Sequence, residues 1–227
     1  MNFSRHLDFV TGIEWFSLHF IEQHAMQSIE KSINSRVQDK GRGACFTPKA
    51  FLDLGNPEAV RIALHRLAKR GILRRLTRGL YDYPKQHPII GLLSPSPDEI
   101  AKAVTERDAS RLQPSGGYAA NLLGLSEQVP AKIVFLTDGP ARHVGIGRQE
   151  IILKNMTTRN MATAGRISGT VIQALRHLGA KDIGEQHIMH LRQTLSASGK
   201  AQLKRDRIYA PGWMHRIIDA IAEDRRA

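Results

Sequence analysis

The side chains best placed to do chemistry lie on one face of a basic segment at residues 56–71. At about 100° per residue in a helix, Glu58, Arg61, His65 and Lys69 share that face. Guanidinium, imidazole and ammonium groups neutralise phosphates and donate hydrogen bonds to base edges. The spacing therefore indicates a helix with a basic surface, although such a surface is often only a solvated face.

The ends of the segment and its other face predict the helix itself. Asn56 can accept hydrogen bonds from N–H groups of the first turn, Pro57 needs no N–H there, and Gly71 suits a left-handed end. The opposite face is apolar, which predicts burial in a core; it consists of Val60, Ala63, Leu64 and Leu67.

The residues on either side predict a winged helix-turn-helix. Apolar residues spaced four apart predict a helix over 27–40, and Thr47 and Pro48 predict the start of a second helix over 46–55. After the basic helix, residues 72–84 read as a strand, a tight turn and a strand, with arginines in the first strand and the turn. A winged helix places its helix in the major groove and its ribbon along the backbone or an adjacent groove.

The charge of the chain is concentrated in the same region. Residues 36–85 contain twelve Lys or Arg and four Asp or Glu, so 12 − 4 gives +8 of the net +12 in 50 of 227 residues. This concentration favours a polyanion-binding surface over a general contribution to solubility.

Composition limits the remaining classes of protein. A hydrophobic fraction of 41% supports a buried core and argues against wholesale disorder. The single cysteine, Cys45, excludes an intrachain disulfide framework and a multi-cysteine zinc site, which fits a reducing cytoplasm. We expect Cys45 to be buried near the second helix. No apolar run approaches the length of a membrane span.

The whole chain is expected to be α+β, with an N-terminal winged helix-turn-helix at 26–85 and a C-terminal α+β domain at 98–227. A proline-rich linker at 86–97 separates them, and its apolar part, 88–93, is expected to lie along a surface groove. Residues 1–25 are either an extra amphipathic helix or an upstream extension, with translation starting at Met26.

The second domain is expected to contain a small, largely antiparallel sheet and several helices. Apolar runs separated by turn residues predict its strands at 132–137, 142–146 and 150–154. Helices are predicted at 97–112, 118–125, 168–178, 184–197 and 211–222.

Patterns that would indicate catalysis are weak. His187 and His190 stand three residues apart on a predicted helix, but no third ligand is indicated, so solvent-exposed histidines are the better interpretation. Gly145 and Gly147 read as a turn rather than a phosphate loop, and no predicted strand carries the paired carboxylates of a nucleotidyltransferase. We therefore expect no catalytic residue, no bound metal and no cofactor.

Several segments of the sequence resemble the AbiEi-type antitoxins of type IV toxin–antitoxin and abortive-infection (phage-defence) systems. The resemblance covers roughly residues 27–194 and is carried by 32–36, 46–51, 59–73, 78–81 and Pro114-Ser115-Gly116-Gly117-Tyr118 with the residues that follow to Leu125.

The resemblance implies a transcriptional repressor that binds duplex repeats upstream of its own operon as a monomer or weak dimer. It also implies a nucleotidyltransferase toxin as functional partner, counteracted without a stable complex, and antitoxicity in the second domain. The alternative is an interaction module whose basic face contacts the toxin's RNA substrate, although the deep major groove of RNA hides its base edges from a helix.

Carried over by position, the resemblance implies a role for each basic residue. Major-groove contacts are expected from Arg61, His65 and Lys69, with Glu58 accepting from a cytosine amine. Phosphate contacts are expected from Arg66 and Arg70 on the helix flank, from Thr47 and Lys49, and from Arg74, Arg75, Thr77 and Arg78 in the wing. An alternative for Arg70 and Arg74 is an ion pair with Asp53 or Asp82.

Overall fold

The computed structural model describes residues 27–223, so the expectations for residues 1–25 lie outside the described residues. The described residues divide into two compact units, with the division after Val104. Both helices and sheets are present in each unit's described part, so the α+β class is confirmed.

The N-terminal unit places three helical segments before a two-stranded ribbon. Helix α1 occupies residues 27–40, strand β1 follows it, and a short 3-10 helix precedes the basic helix α2. The bounds are Cys45–Phe46 for β1, Pro48–Phe51 for the 3-10 helix, Pro57–Lys69 for α2, Arg74–Thr77 for β2 and Leu80–Asp82 for β3. The strands form one antiparallel sheet in the order β1-β3-β2. This order and pairing are consistent with a winged helix-turn-helix.

The ends of α2 are set by the residues that the sequence indicated. The side chain of Asn56 accepts a hydrogen bond from the backbone N–H of Ala59 at 2.8 Å, and Pro57 occupies the first turn. At the other end Gly71 has a φ of +73°, a conformation that costs residues with a Cβ more than glycine.

One hydrophobic core holds the N-terminal unit together. The apolar face of α2 is fully buried against α1 and the 3-10 helix, as predicted. Each valine or leucine of this face contributes about 1.5–3 kcal/mol by leaving water. The buried members include Ile33, Val37, Phe46, Phe51, Val60, Ala63, Leu64, Leu67 and Leu73.

The second helix is shorter than predicted. Residues 46–55 were expected to be helical, but Phe46 pairs with Tyr81 in the sheet, and only Pro48–Phe51 is helical. The rings of Phe46 and Phe51 pack with centroids 5.6 Å apart. Cys45, beside Phe46, is buried as expected, and burial raises the pKa of its thiol to about 12.

The proline-rich segment forms a hairpin instead of lying along a groove. Strands β4 (Gln86–His87) and β5 (Gly91–Leu92) pair antiparallel, and the N–H of Leu93 donates to the carbonyl of Lys85 at 2.9 Å. The tip residues Ile89 and Ile90 are exposed by 88% and 69%. The expectation that 88–93 lies along a surface groove is therefore wrong for the tip, because a hairpin this short holds its tip in solvent. Helix α3 (Pro97–Thr105) follows.

The C-terminal unit contains a four-stranded sheet whose central pair is parallel. Its strands are β6 (Leu112–Ser115), β7 (Lys132–Thr137), β8 (Arg142–Ile146) and β9 (Gln149–Asn155), in the order β6-β7-β9-β8. The outer pairings are antiparallel, as expected, but β7 and β9 run parallel. Burial explains the order, because β7 and β9 contribute fully buried side chains whereas β8 contributes none and takes the edge.

The helices of this unit pack together around a second hydrophobic core. They are α4 (Gly116–Leu122), α5 (Ile167–Leu178), α6 (Glu185–Thr194), α7 (Ala197–Asp206) and α8 (His215–Ala222). The prediction missed α7, most of whose residues are polar. It also extended one helix over 97–112, whereas α3 ends at Thr105 and β6 begins at Leu112. No helix among residues 27–223 is long and apolar enough to cross a membrane.

The boundary between the units differs from the proline-rich linker that the sequence suggested. The hairpin and most of α3 group with the N-terminal unit, so the division falls after Val104 rather than within 86–97.

Candidate nucleic-acid interface

The outer face of α2 is exposed along its length. His65, Arg66 and Lys69 are exposed, and within residues 27–223 none of them has an acidic partner. Opposite them the apolar face is fully buried, which fixes the helix on the core and leaves the basic face to solvent. The amphipathic pattern thus fixes which side chains face solvent.

Two of the residues expected to read bases are paired with each other. Arg61 Nε donates to Glu58 Oε2 at 3.1 Å, and a second guanidinium nitrogen donates to Glu58 Oε1. The hydrogen bonds from Arg61 lower the pKa of the Glu58 carboxyl, and the same hydrogen bonds raise the pKa of Arg61. Both side chains are more than 60% exposed, so water screens the pair and its exchange for a base contact costs little.

The ribbon presents two further free arginines. Arg75 in β2 and Arg78 in the turn are exposed, and neither has an acidic partner in the described chain. Gly79, with a φ of +74°, closes the turn, and the register shifts between Arg75 and Thr77. Thr77 is half-buried beside this irregularity. The ribbon tip is therefore a tight, positively charged loop, as the sequence indicated.

Arg74 has a structural role, which is the alternative considered from the sequence, whereas its DNA contact stays a prediction. Its guanidinium donates to both carboxylate oxygens of Asp82, at 3.1 and 2.5 Å, and to the carbonyl of Leu93 at 2.7 Å. Asp82 is only 1% exposed, and this partner raises the pKa of Arg74. Arg74 and Asp82 are cross-strand neighbours in β2 and β3, which is why the alternative pairing is the one formed.

Arg70 also has an acidic partner, though not the one considered from the sequence. It pairs with Glu30 of α1, whose side chain is 12% exposed. Asp53 instead receives two hydrogen bonds from Arg36, at 2.8 and 2.7 Å, which lower the pKa of that carboxyl. Arg70 thus helps join α2 to α1.

The start of the 3-10 helix supplies one free lysine. Lys49 is exposed, and Thr47 is half-buried at the cap position without a capping hydrogen bond from its side chain. The Thr47 hydroxyl is therefore not used to hold the helix end.

The basic side chains of the predicted contact set, apart from His65, fall into two groups by their partners. Arg61, Arg70 and Arg74 are ion-paired, so a polyanion must compete for them. The free cationic set, for which residues 27–223 provide no acidic partner, consists of Lys49, Arg66, Lys69, Arg75 and Arg78. Cations of this kind suit phosphate contacts, and His65 remains as an exposed donor or acceptor on the same helix face.

The histidine pair that could suggest a metal has two structural roles. His187 Nδ1 accepts from the backbone N–H of Gly184 at 3.1 Å, capping α6, and His190 Nε2 lies 2.9 Å from the carbonyl of Leu123. Both rings are half-buried rather than solvent-exposed. Residues 27–223 contain no cluster of three or more histidine, cysteine or acidic residues suited to a metal ion.

Comparisons with known proteins identify a family without assigning it a function. A model of DUF6088, described as a family of unknown function, matches residues 32–203. The chain belongs to this family. It is similar to the crystal structure of RV2827C protein from Mycobacterium tuberculosis, at 14% identity and a TM-score of 0.43, over 88% of this chain and 78% of that one. No curated protein matches it.

The sequence predicted the basic face of α2 but not all of the ion pairs that its arginines form. The Arg74 pairing was considered from the residue types, whereas the partner of Arg70 is 40 residues away and carries no local signal. A cavity in the C-terminal unit that is lined by two arginines was also not predicted, because its residues come from three separate segments.

Proposed function

We propose that this DUF6088 protein is a DNA-binding transcriptional autorepressor and antitoxin of a type IV toxin–antitoxin operon, acting in the cytoplasm and not as an enzyme. The free cationic set on α2, the 3-10 helix and the ribbon is the observation that carries the DNA-binding half. A duplex offers phosphates to the ribbon and base edges to the helix, and these are the two surfaces on which the free cations lie.

The antitoxin part of the proposal rests on the resemblance to AbiEi-type antitoxins, which is carried by several segments between residue 32 and Leu125. Under this proposal the functional partner is a nucleotidyltransferase toxin whose effect is cancelled without a stable complex. Expression of the partner toxin gene alone should arrest growth, and co-expression of this protein should restore growth. Failure of co-expression to restore growth would contradict the antitoxin assignment while leaving the DNA-binding assignment intact.

The decisive experiment on the DNA-binding half is a mobility shift of the full chain on its own upstream duplex at physiological salt. Scrambled duplex and structured RNA serve as competitors. We expect the upstream duplex to be retained over both, by at least about tenfold, because specific binding usually exceeds non-specific binding by much more. Equal competition by all three, or preference for RNA, would contradict the repressor assignment and favour the RNA-contacting alternative.

A further inference from the structure

The C-terminal unit contains a cavity of about 480 Å³ that the DNA-binding proposal does not use. Three segments form its walls: the turns before α5, the buried side of α5, and the 3-10 turn that follows α7. Its volume is in the usual range for small-molecule sites. The lining residues are Arg159, Asn160, Thr163, Ile172, Gln173, Arg176 and 208–211.

The charge of this cavity is exclusively positive. Arg159 and Arg176 line it, and no acidic residue does so among the described residues. Other arginines of this unit are paired with carboxylates, as in Arg111–Asp138 and Arg142–Asp108. In contrast, Arg159 and Arg176 are exposed and have no acidic partner within residues 27–223. Two unpaired guanidinium groups in one concave site suit a phosphate, which accepts bidentate hydrogen bonds.

The rest of the lining suits a flat heterocyclic ring. Tyr209 is 46% exposed and Ile208 is 75% exposed, so both present apolar surface that a ligand could contact. Aromatic rings in such positions stack on nucleobases without strong base preference. Gln173 is only 7% exposed, and its side-chain oxygen accepts from Ser115 Oγ at 3.4 Å, which leaves the amide nitrogen to donate to a base edge.

The turn that carries Tyr209 is fixed by two ion pairs at its N-terminal end. Asp206 is buried and accepts from Ser168 Oγ at 2.5 Å and from Arg166 at 2.9 Å, which joins the end of α7 to the start of α5. The next residue, Arg207, pairs with Asp219 of α8. The aromatic side of the cavity is therefore held in place before any ligand arrives, which reduces the entropy cost of binding.

We propose that this cavity binds a nucleoside phosphate. The phosphate would contact Arg159 and Arg176, and the base would stack on Tyr209 beside the Gln173 amide. This inference is independent of duplex binding by the N-terminal unit, because every lining residue belongs to the C-terminal unit.

The test is isothermal titration of the full chain with ATP, GTP, CTP and UTP, and with inorganic pyrophosphate, at physiological salt. We expect at least one triphosphate to bind saturably. The double variant Arg159→Gln with Arg176→Gln should weaken it by about tenfold for each arginine, as lost charge-assisted hydrogen bonds predict. The control Arg205→Gln with Arg216→Gln removes two exposed arginines that do not line the cavity, and should change affinity less than about twofold.

A second variant separates the base from the phosphate. Tyr209→Leu should weaken binding of the nucleoside triphosphate while leaving pyrophosphate binding unchanged. Unchanged thermal unfolding midpoints would show that all variants fold. The proposal is overturned if no triphosphate binds at millimolar concentration, or if the control pair causes the same loss. It is also overturned if pyrophosphate binds as tightly as every triphosphate and Tyr209→Leu has no effect.

Discussion

Arg74 and Arg75 are adjacent in the chain, but their guanidinium groups have opposite environments. Arg74 is bonded to the buried carboxylate of Asp82 and to a backbone carbonyl, whereas Arg75 points from the other face of β2 and is exposed. Alternation along a strand sends successive side chains to opposite faces, so one arginine supports the fold and the other is available to a ligand. Residue type alone does not distinguish them.

This difference predicts opposite effects of two matched substitutions. Arg74→Ala leaves Asp82 buried without its partner, and we expect the free energy of unfolding to fall by about 2–4 kcal/mol. Arg75→Ala should change that free energy by less than about 0.5 kcal/mol, as is usual for exposed residues. Urea unfolding followed by circular dichroism measures both. Equal losses from the two variants would contradict the structural role of Arg74.

At the scale of elements, the proposed function assigns different roles in duplex binding to α2 and to the β2–β3 ribbon. The helix presents exposed groups spaced along one face, and the ribbon presents its charge in a tight turn. A helix fits the major groove, where base edges differ, whereas a ribbon beside the backbone mainly neutralises phosphates. The two elements should therefore control different properties of the complex.

Paired variants of the two elements should separate specificity from charge. Arg61→Ala with Lys69→Ala should abolish the preference for upstream over scrambled duplex. Arg75→Ala with Arg78→Ala should weaken binding to every duplex and reduce the slope of log affinity against log salt by about 2, since each lost phosphate contact removes nearly one counterion. Titrations at several salt concentrations provide both readouts. An unchanged slope in the ribbon variant would show that these arginines do not contact phosphates.

The sequence predicted elements well where periodicity and end residues agreed. Helix α2 and strands β7 to β9 were located because their apolar spacing and turn residues are local signals. The parallel pairing of β7 with β9 depends on the order of the strands in the sheet, which local spacing does not specify, and the hairpin at 86–92 depends on backbone pairing that prolines obscure. For the candidate interface, the exposed face followed from periodicity, but Glu30 as the partner of Arg70 did not, since that contact is set by packing of α1 on α2.

At the scale of the whole molecule, the excess positive charge is concentrated in one stretch of the N-terminal unit and not in that unit as a whole. Residues 36–85 carry +8 of the net +12, so 12 − 8 leaves +4 for the rest of the chain. The N-terminal unit nevertheless extends well past this basic region. Leu93 supplies the carbonyl that Arg74 uses and donates its N–H to Lys85, so residues beyond the ribbon complete the ribbon's base.

Two fragments test where the DNA-binding unit ends. A fragment ending at Val104 should unfold cooperatively and bind duplex DNA with the salt slope of the full chain, to within about 1, because it keeps the free cationic set and the contacts of Arg74. A fragment ending at Lys85 keeps the free cationic set but lacks the Leu93 carbonyl, and it should melt at a lower temperature. Equal stability of the two fragments would show that the hairpin and α3 are dispensable. A weaker salt slope in the longer fragment would instead show that basic residues of the C-terminal unit also contact the duplex.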